Sequence, residues 1–162
     1  MKQELQDKLD ECMDELNEID GIIKSLSPFD KQIQYLTRYA IMKASGTAEI
    51  VYRSIVADYF SKFSDSKIDK YIDNTVRSGS MSAKYEMMSN LLKKFDDQWT
   101  NNFKAAVNRN PEGQRIIAAS NSLVANRHAF AHGHPTSASF TSIREYYEDV
   151  MKLIAIFDSV VH

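Results

Sequence analysis

The sequence predicts an all-α helical bundle of about five to six helices. Three observations carry that reading. Apolar residues recur at helical spacing almost from end to end. Only five glycines and three prolines punctuate 162 residues. No segment alternates polar and apolar residues between hairpin turns. A chain of this length is most naturally one domain, residues 1–162, long enough to bury a real core.

Residues 1–26 read as an acidic amphipathic heptad helix. Leu5, Leu9, Cys12, Leu16, Ile19, Ile23 and Leu26 follow one another in alternating steps of four and three, a narrow a/d seam. Two partners suit that seam: another helix of the bundle, or the same helix in a second copy. Residues 27–162 make up the bundle core. In Ser27–Asp30 (SPFD) Ser27 is a good N-cap, Pro28 suits a first turn, and Asp30 favours the positive helix end. The second helix runs through Ile33, Leu36, Tyr39 and Ala40, past Gly46, to about Phe63. Breaks at Ser64–Lys67 and Arg77–Ser82 isolate a short helix near Ile68–Val76. One long helix then carries Met88, Leu91, Phe95, Trp99 and Phe103 on a single apolar face. The break Asn108–Gly113 (NRNPEG) precedes a helix that Pro111 can open, and Gly133 followed by Pro135 ends it. A last helix from about Thr141 to Val161 presents Ile143, Tyr147, Val150, Ile154 and Phe157.

Composition bounds the function. A hydrophobic fraction of 43% and a charged fraction of 26% suit a soluble globular protein. Nothing approaches the length of apolar run that a membrane-spanning helix needs. The acidic N-terminus is the opposite of a signal or transit peptide, so a reducing cytoplasm is expected. One cysteine allows no internal disulfide and no cysteine-based zinc site. The net charge of −2 hides an asymmetry: residues 1–20 hold eight acids and two bases, and the remainder fourteen acids and eighteen bases. Either the acids solvate one helix face, or an acidic arm is attached to a mildly basic body that meets an anionic partner.

Three of the four histidines crowd into Ser122–Pro135 (SLVANRHAFAHGHP), on the penultimate helix. His128 and His132, four apart, share a helix face, Arg127 swings toward them, and Asn126 adds a donor and an acceptor. Three readings fit these residues. They are surface polar groups finishing a helix. They are a zinc site in which His128, His132 and His134 supply three nitrogens. Or they are a phosphodiester site, with Arg127 binding phosphate and His132 handling protons.

The hexad Arg127–His132 (RHAFAH) matches the R-x4-H signature of the HEPN domains (higher eukaryotes and prokaryotes nucleotide-binding), and its setting, LVANRHAFAHG, is similar to that family's form. From about Asp30 to Phe157 the chain also resembles the HEPN group associated with RNA ligase and phosphoesterase genes. The helices at Lys43–Val56 and Met87–Phe95 carry that looser similarity.

The resemblance implies a metal-independent, cofactor-free endoribonuclease acting as a homodimer, with two motif sets in one composite cleft at the interface. RNA supplies the 2′-hydroxyl that attacks the adjacent phosphorus, leaving 2′,3′-cyclic phosphate and 5′-hydroxyl ends. Arg127 would stabilise charge on the transition-state oxygens and His132 would transfer protons. His128, after the arginine, would orient the phosphate or its partner residue, with Asn126 in support. A second helix should face this cleft. Ser45, Glu49 and Tyr52 form a polar stripe on an otherwise apolar helix. That stripe is either an exposed face or a device in which Glu49, flanked by Ser45, orients Arg127 or a histidine. Arg38 and Arg53 are surface residues or RNA-backbone contacts. A toxin or phage-defence effector is the expected context, controlled by an antitoxin or other regulatory protein. Relatives paired with nucleotidyltransferase antitoxins carry a modifiable tyrosine two residues after the motif histidine. This chain has His134 there, which is not expected to be catalytic. The rival expectation is a non-catalytic all-α dimerisation or nucleotide-binding module, or a regulatory partner with its acidic first helix masking a basic surface.

Overall fold

The computed structural model describes residues 1–63 and 65–162. Among them are seven α-helices and no strand: α1 Gln3–Ser25, α2 Lys31–Phe60, α3 Ser66–Ile72, α4 Tyr85–Lys93, α5 Asp97–Arg109, α6 Gly113–Ala131 and α7 Phe140–Asp158. None is long and apolar enough to cross a membrane.

The heptad seam of α1 packs inside the chain. Leu5, Leu9, Cys12, Leu16 and Ile19 are buried in the same cluster as the inner faces of α2 and α7. Each buried leucine contributes about 1.5–3 kcal/mol over an exposed one, so the seam suffices to dock α1 without a second copy. Polar contacts set its register. The Tyr147 hydroxyl donates to the Leu9 carbonyl at 3.1 Å, and Glu15 accepts from both the Tyr39 hydroxyl and the Lys43 ammonium.

The turn between α1 and α2 differs from expectation. Residues Ser27–Asp30 close a turn, the Asp30 N–H donating to the Ser27 carbonyl at 2.8 Å. The cap of α2 is therefore Asp30, whose carboxylate accepts from the Gln32 N–H at 2.8 Å. The rigid φ of Pro28 serves the turn rather than a helix start. Spanning about 45 Å, α2 is the central helix. Ala40, Ala44 and Ala48, all buried, let its neighbours approach closely, and Ile41, Val51, Tyr52 and Val56 fill the core around them.

The middle of the chain is more broken than its apolar spacing suggests. The predicted break at Ser64–Lys67 begins at Ser64, outside the described residues; Asp65 caps α3 by accepting from the N–H groups of Lys67 and Ile68. A π-helical turn, Asp73–Arg77, continues α3, pinned by Arg77 between Asp73 and Asp58. The expected long helix through Met88 and Phe103 is two helices, α4 and α5. Asp96 interrupts it by capping α5, its carboxylate accepting from the Gln98 N–H at 2.6 Å. A local side-chain acceptor of this kind competes with helix continuation where periodicity alone sees none.

Toward the C-terminus, α6 and α7 pack on each other and on α2. Tyr52 and Phe103 meet Phe157 edge-on, with centroids 5.7 and 5.5 Å apart. This leaves the C-terminal half of α6 alongside the middle of α2, and the candidate site lies on that contact.

Candidate active site

The first turns of α6 bury Ile116, Ala119, Ser120, Leu123 and Val124 against the bundle. One turn beyond Leu123 the same face reaches Arg127, which is half-buried where apolar packing would otherwise continue. The helix then stops abruptly. His132 caps it, Gly133 follows at φ +74°, and the N–H groups of Gly133 and His134 donate to the carbonyls of Phe130 and Ala129 at 3.0 and 2.8 Å. This pair of bonds is the Schellman closure, for which glycine supplies the left-handed residue at least cost. It exposes His132 at the last turn and directs the chain away.

Arg127 reaches α2. Its Nη1 donates to Glu49 Oε1 at 3.0 Å, joining residues 78 apart in sequence. Glu49 is buried, at 8% exposure, and not part of an exposed face. Burial pushes its carboxyl above the ordinary value, opposed by the positive charges of Arg127 and then Arg53. Arg53, expected at the surface or on RNA, is itself buried, its Nε donating to the Glu49 carbonyl at 2.8 Å. Two guanidiniums thus flank one buried carboxylate, a local surplus of positive charge.

Ser45, one turn before Glu49, is fully buried. Its hydroxyl and Arg127 Nε are the two buried side-chain polar atoms without a hydrogen-bond partner among the described residues. Buried polar groups are nearly always satisfied, and each exception calls for a reason. Both exceptions fall on the α2–α6 contact beside Glu49.

His128 and His132, both exposed, stand with ring centroids 6.5 Å apart. With Arg127, Met42 and Ala131 they line a shallow hollow of about 200 Å³. The structure thus brings Arg127, His128 and His132 together on one hollow, with Glu49 tied to Arg127 behind it.

Three other residues go elsewhere. Asn126 does not line the hollow: its Oδ1 accepts from the N–H groups of Ser137 and Ala138 at 3.0 and 3.1 Å, and its amide donates to the Ser122 carbonyl. It ties down the strap between α6 and α7. Tyr52, the third member of the stripe, donates its hydroxyl to the Met81 and Ser82 carbonyls. His134 is exposed and does not line the hollow. Among the described residues no three His, Cys, Asp or Glu side chains gather as metal ligands.

Met42 escaped sequence reasoning, and so did the burial of Arg53 beside Glu49. Met42 carries no polar signal, although it falls one turn before Gly46 on the helix that holds Ser45 and Glu49. Chemically, the hollow offers a guanidinium anchored at one nitrogen, two imidazoles, and open access for an anionic chain.

No curated protein matches this chain, and no solved structure does. The family model described as RiboL-PSP-HEPN matches residues 7–162. The match takes in all of α2 to α7 and nearly all of α1, the hollow and its supporting carboxylate included: the chain belongs to the RiboL-PSP-HEPN family.

Proposed function

We propose that the protein is a metal-independent endoribonuclease cleaving single-stranded RNA at the Arg127–His132 hollow. The observation that carries this is the pairing of Arg127 with buried Glu49 next to two exposed histidines. A surface arginine merely finishing a helix has no need of a buried carboxylate from another helix.

A base removes the 2′-hydroxyl proton and the oxygen attacks the neighbouring phosphorus. The bond from phosphorus to the 5′-oxygen breaks, and an acid protonates that oxygen. The products are a 2′,3′-cyclic phosphate and a 5′-hydroxyl end. Arg127 neutralises charge on the non-bridging oxygens, Glu49 holds its guanidinium in place, and Ser45 supports that seam. His132 moves a proton, and His128 orients the phosphate. In a homodimer with two such hollows in one cleft, one His132 serves as base and the other as acid. A toxin or defence effector, held in check by a partner protein, is the biological context we assign.

The test is mass spectrometry of RNA ends after incubation with the protein in EDTA. Cyclic phosphate ends, lost in Arg127→Ala and His132→Ala proteins that remain folded, support the reading. Intact RNA, or cutting only after metal is added, refutes it. RNA binding without turnover would favour a nucleotide-binding or dimerisation module.

A further inference from the structure

Beside the motif hollow lies a second one that the cleavage chemistry does not use. Tyr35, Arg38, Tyr39 and Met42 stand at i, i+3, i+4 and i+7 on α2, a single helix face. They surround Phe130 of α6 in an open hollow of about 360 Å³. The rings are presented to solvent: Tyr35 is 63% exposed and Tyr39 48%. The Arg38 guanidinium lies over the Phe130 ring, 5.8 Å from its centroid. Arg38 has no carboxylate partner among the described residues; no acid lines either hollow, and Glu15, which accepts from the Tyr39 hydroxyl, is itself paired with Lys43.

Met42 is a wall of both hollows, so they lie side by side. Along α2 the distance from Met42 to Tyr39 is about 5 Å and to Tyr35 about 10 Å. On this spacing the aromatic face is within reach of a nucleotide adjoining a phosphate held at Arg127.

Resting on the ribonuclease reading above, we infer that Tyr35, Tyr39 and Phe130 form a stacking platform for an RNA base next to the scissile phosphate, with Arg38 pairing the adjoining phosphate. Chemistry favours this occupant over a second copy of the chain. Burying an unpaired guanidinium at the centre of an apolar protein contact is costly, whereas the RNA backbone supplies its counter-ion. Stacking on such rings tolerates any base, because every base has a π-face.

The test uses an uncleavable 2′-O-methyl single-stranded oligonucleotide with one abasic nucleotide walked along it. The full chain and its Tyr35→Ala, Tyr35→Phe and Phe130→Leu variants are titrated against each. For the unaltered protein, removing the stacked base at one position weakens binding about tenfold. Tyr35→Ala loses about as much on the intact oligonucleotide and becomes insensitive to the abasic position, while Tyr35→Phe behaves as the unaltered protein. Tyr35 is exposed, so its loss does not threaten the fold. An abasic penalty that persists undiminished in Tyr35→Ala and Phe130→Leu overturns the inference. So does sedimentation showing that Tyr35→Ala converts a dimer to a monomer without altering the abasic profile, which assigns the face to a second copy. If the unaltered protein still cuts RNA in either case, only this inference falls. If it neither binds nor cuts RNA, the ribonuclease reading falls with it.

Discussion

Replacing Glu49 by glutamine separates the support of Arg127 from the stability of the bundle. The carboxylate faces the Arg127 guanidinium at 3.0 Å, and its side chain is 11% exposed. At such separations the attraction is about 4 kcal/mol at an effective dielectric constant near 20. Taking a carboxylate out of water costs several kcal/mol in return. The direction in which the Glu49 carboxyl moves says which effect wins: burial outweighs both arginines. The ionised form therefore stabilises the fold little or not at all. Glutamine removes the desolvation cost and still offers Nη1 an oxygen, and Arg127, 31% exposed, can take up water. The expected change in stability at neutral pH is within about 1 kcal/mol, or roughly 2–4 °C in Tm for a chain of this size. Cleavage should respond quite differently. Exchanging a charge-assisted bond for a neutral one about half as strong loosens the guanidinium, so kcat/KM should fall about 10-fold. The pH dependence has a definite sign. A carboxyl raised above its ordinary value of 4.5 adds stability that is fully present below that value and is lost as pH rises through the native value. Wild type should thus gain on Glu49→Gln as pH falls from 7 to 4.5. Thermal unfolding at both pH values, beside single-turnover cleavage of labelled RNA in EDTA, measures all three quantities. A loss of more than about 3 kcal/mol with unchanged cleavage per folded molecule would make Glu49 a structural clamp and refute this reasoning.

Other substitutions divide site from scaffold. Arg127→Ala and His132→Ala should each lower cleavage by about 10²–10³-fold or more with unchanged far-ultraviolet circular dichroism, and Arg127→Lys should not restore the rate, because it has no planar fork. Asn126→Ala should destabilise by about 2–3 kcal/mol, seen as a drop in Tm, by leaving the Ser137 and Ala138 N–H groups without their acceptor. Glycine substitutions should split by position in thermal melts. A Cβ at Gly46 meets nothing within 4 Å, so Gly46→Ala should stabilise α2 by about 0.5–1 kcal/mol. At Gly113 a Cβ would lie 2.1 Å from the Val107 carbonyl oxygen, so Gly113→Ala should be among the most destabilising single changes in the chain. The Cys12 thiol, buried and raised above its ordinary value, should react with a disulfide reagent only as the bundle unfolds.

Much of this molecule was legible from residue order alone. Helical period and sparse breakers define an all-α chain. The Arg127, His128 and His132 spacing marked the hollow, and Gly133 with Pro135 marked the end of its helix. These are local facts: the positions of side chains within two turns follow from 3.6 residues per turn. Local reasoning failed where one side chain redirected the backbone, as Asp96 does between α4 and α5 and Asp30 does before α2.

Other features needed the third dimension. The heptad seam of α1 suits a second copy as well as a neighbour, and only packing against α2 and α7 within one chain decides between them. The stripe of Ser45, Glu49 and Tyr52 reads from sequence as an exposed face or as a device in which Glu49 orients Arg127 or a histidine. Tertiary structure buries it, ties Glu49 to Arg127, and sends Tyr52 to another linker. Asn126 sits beside the motif in sequence and is spent on the strap, whereas Met42 is distant in sequence and lines the hollow. The sequence by itself thus determined which residues share a helix face. Which faces meet, and which polar atoms are left without partners when they do, depends on contacts between α2 and α6 that no local period encodes.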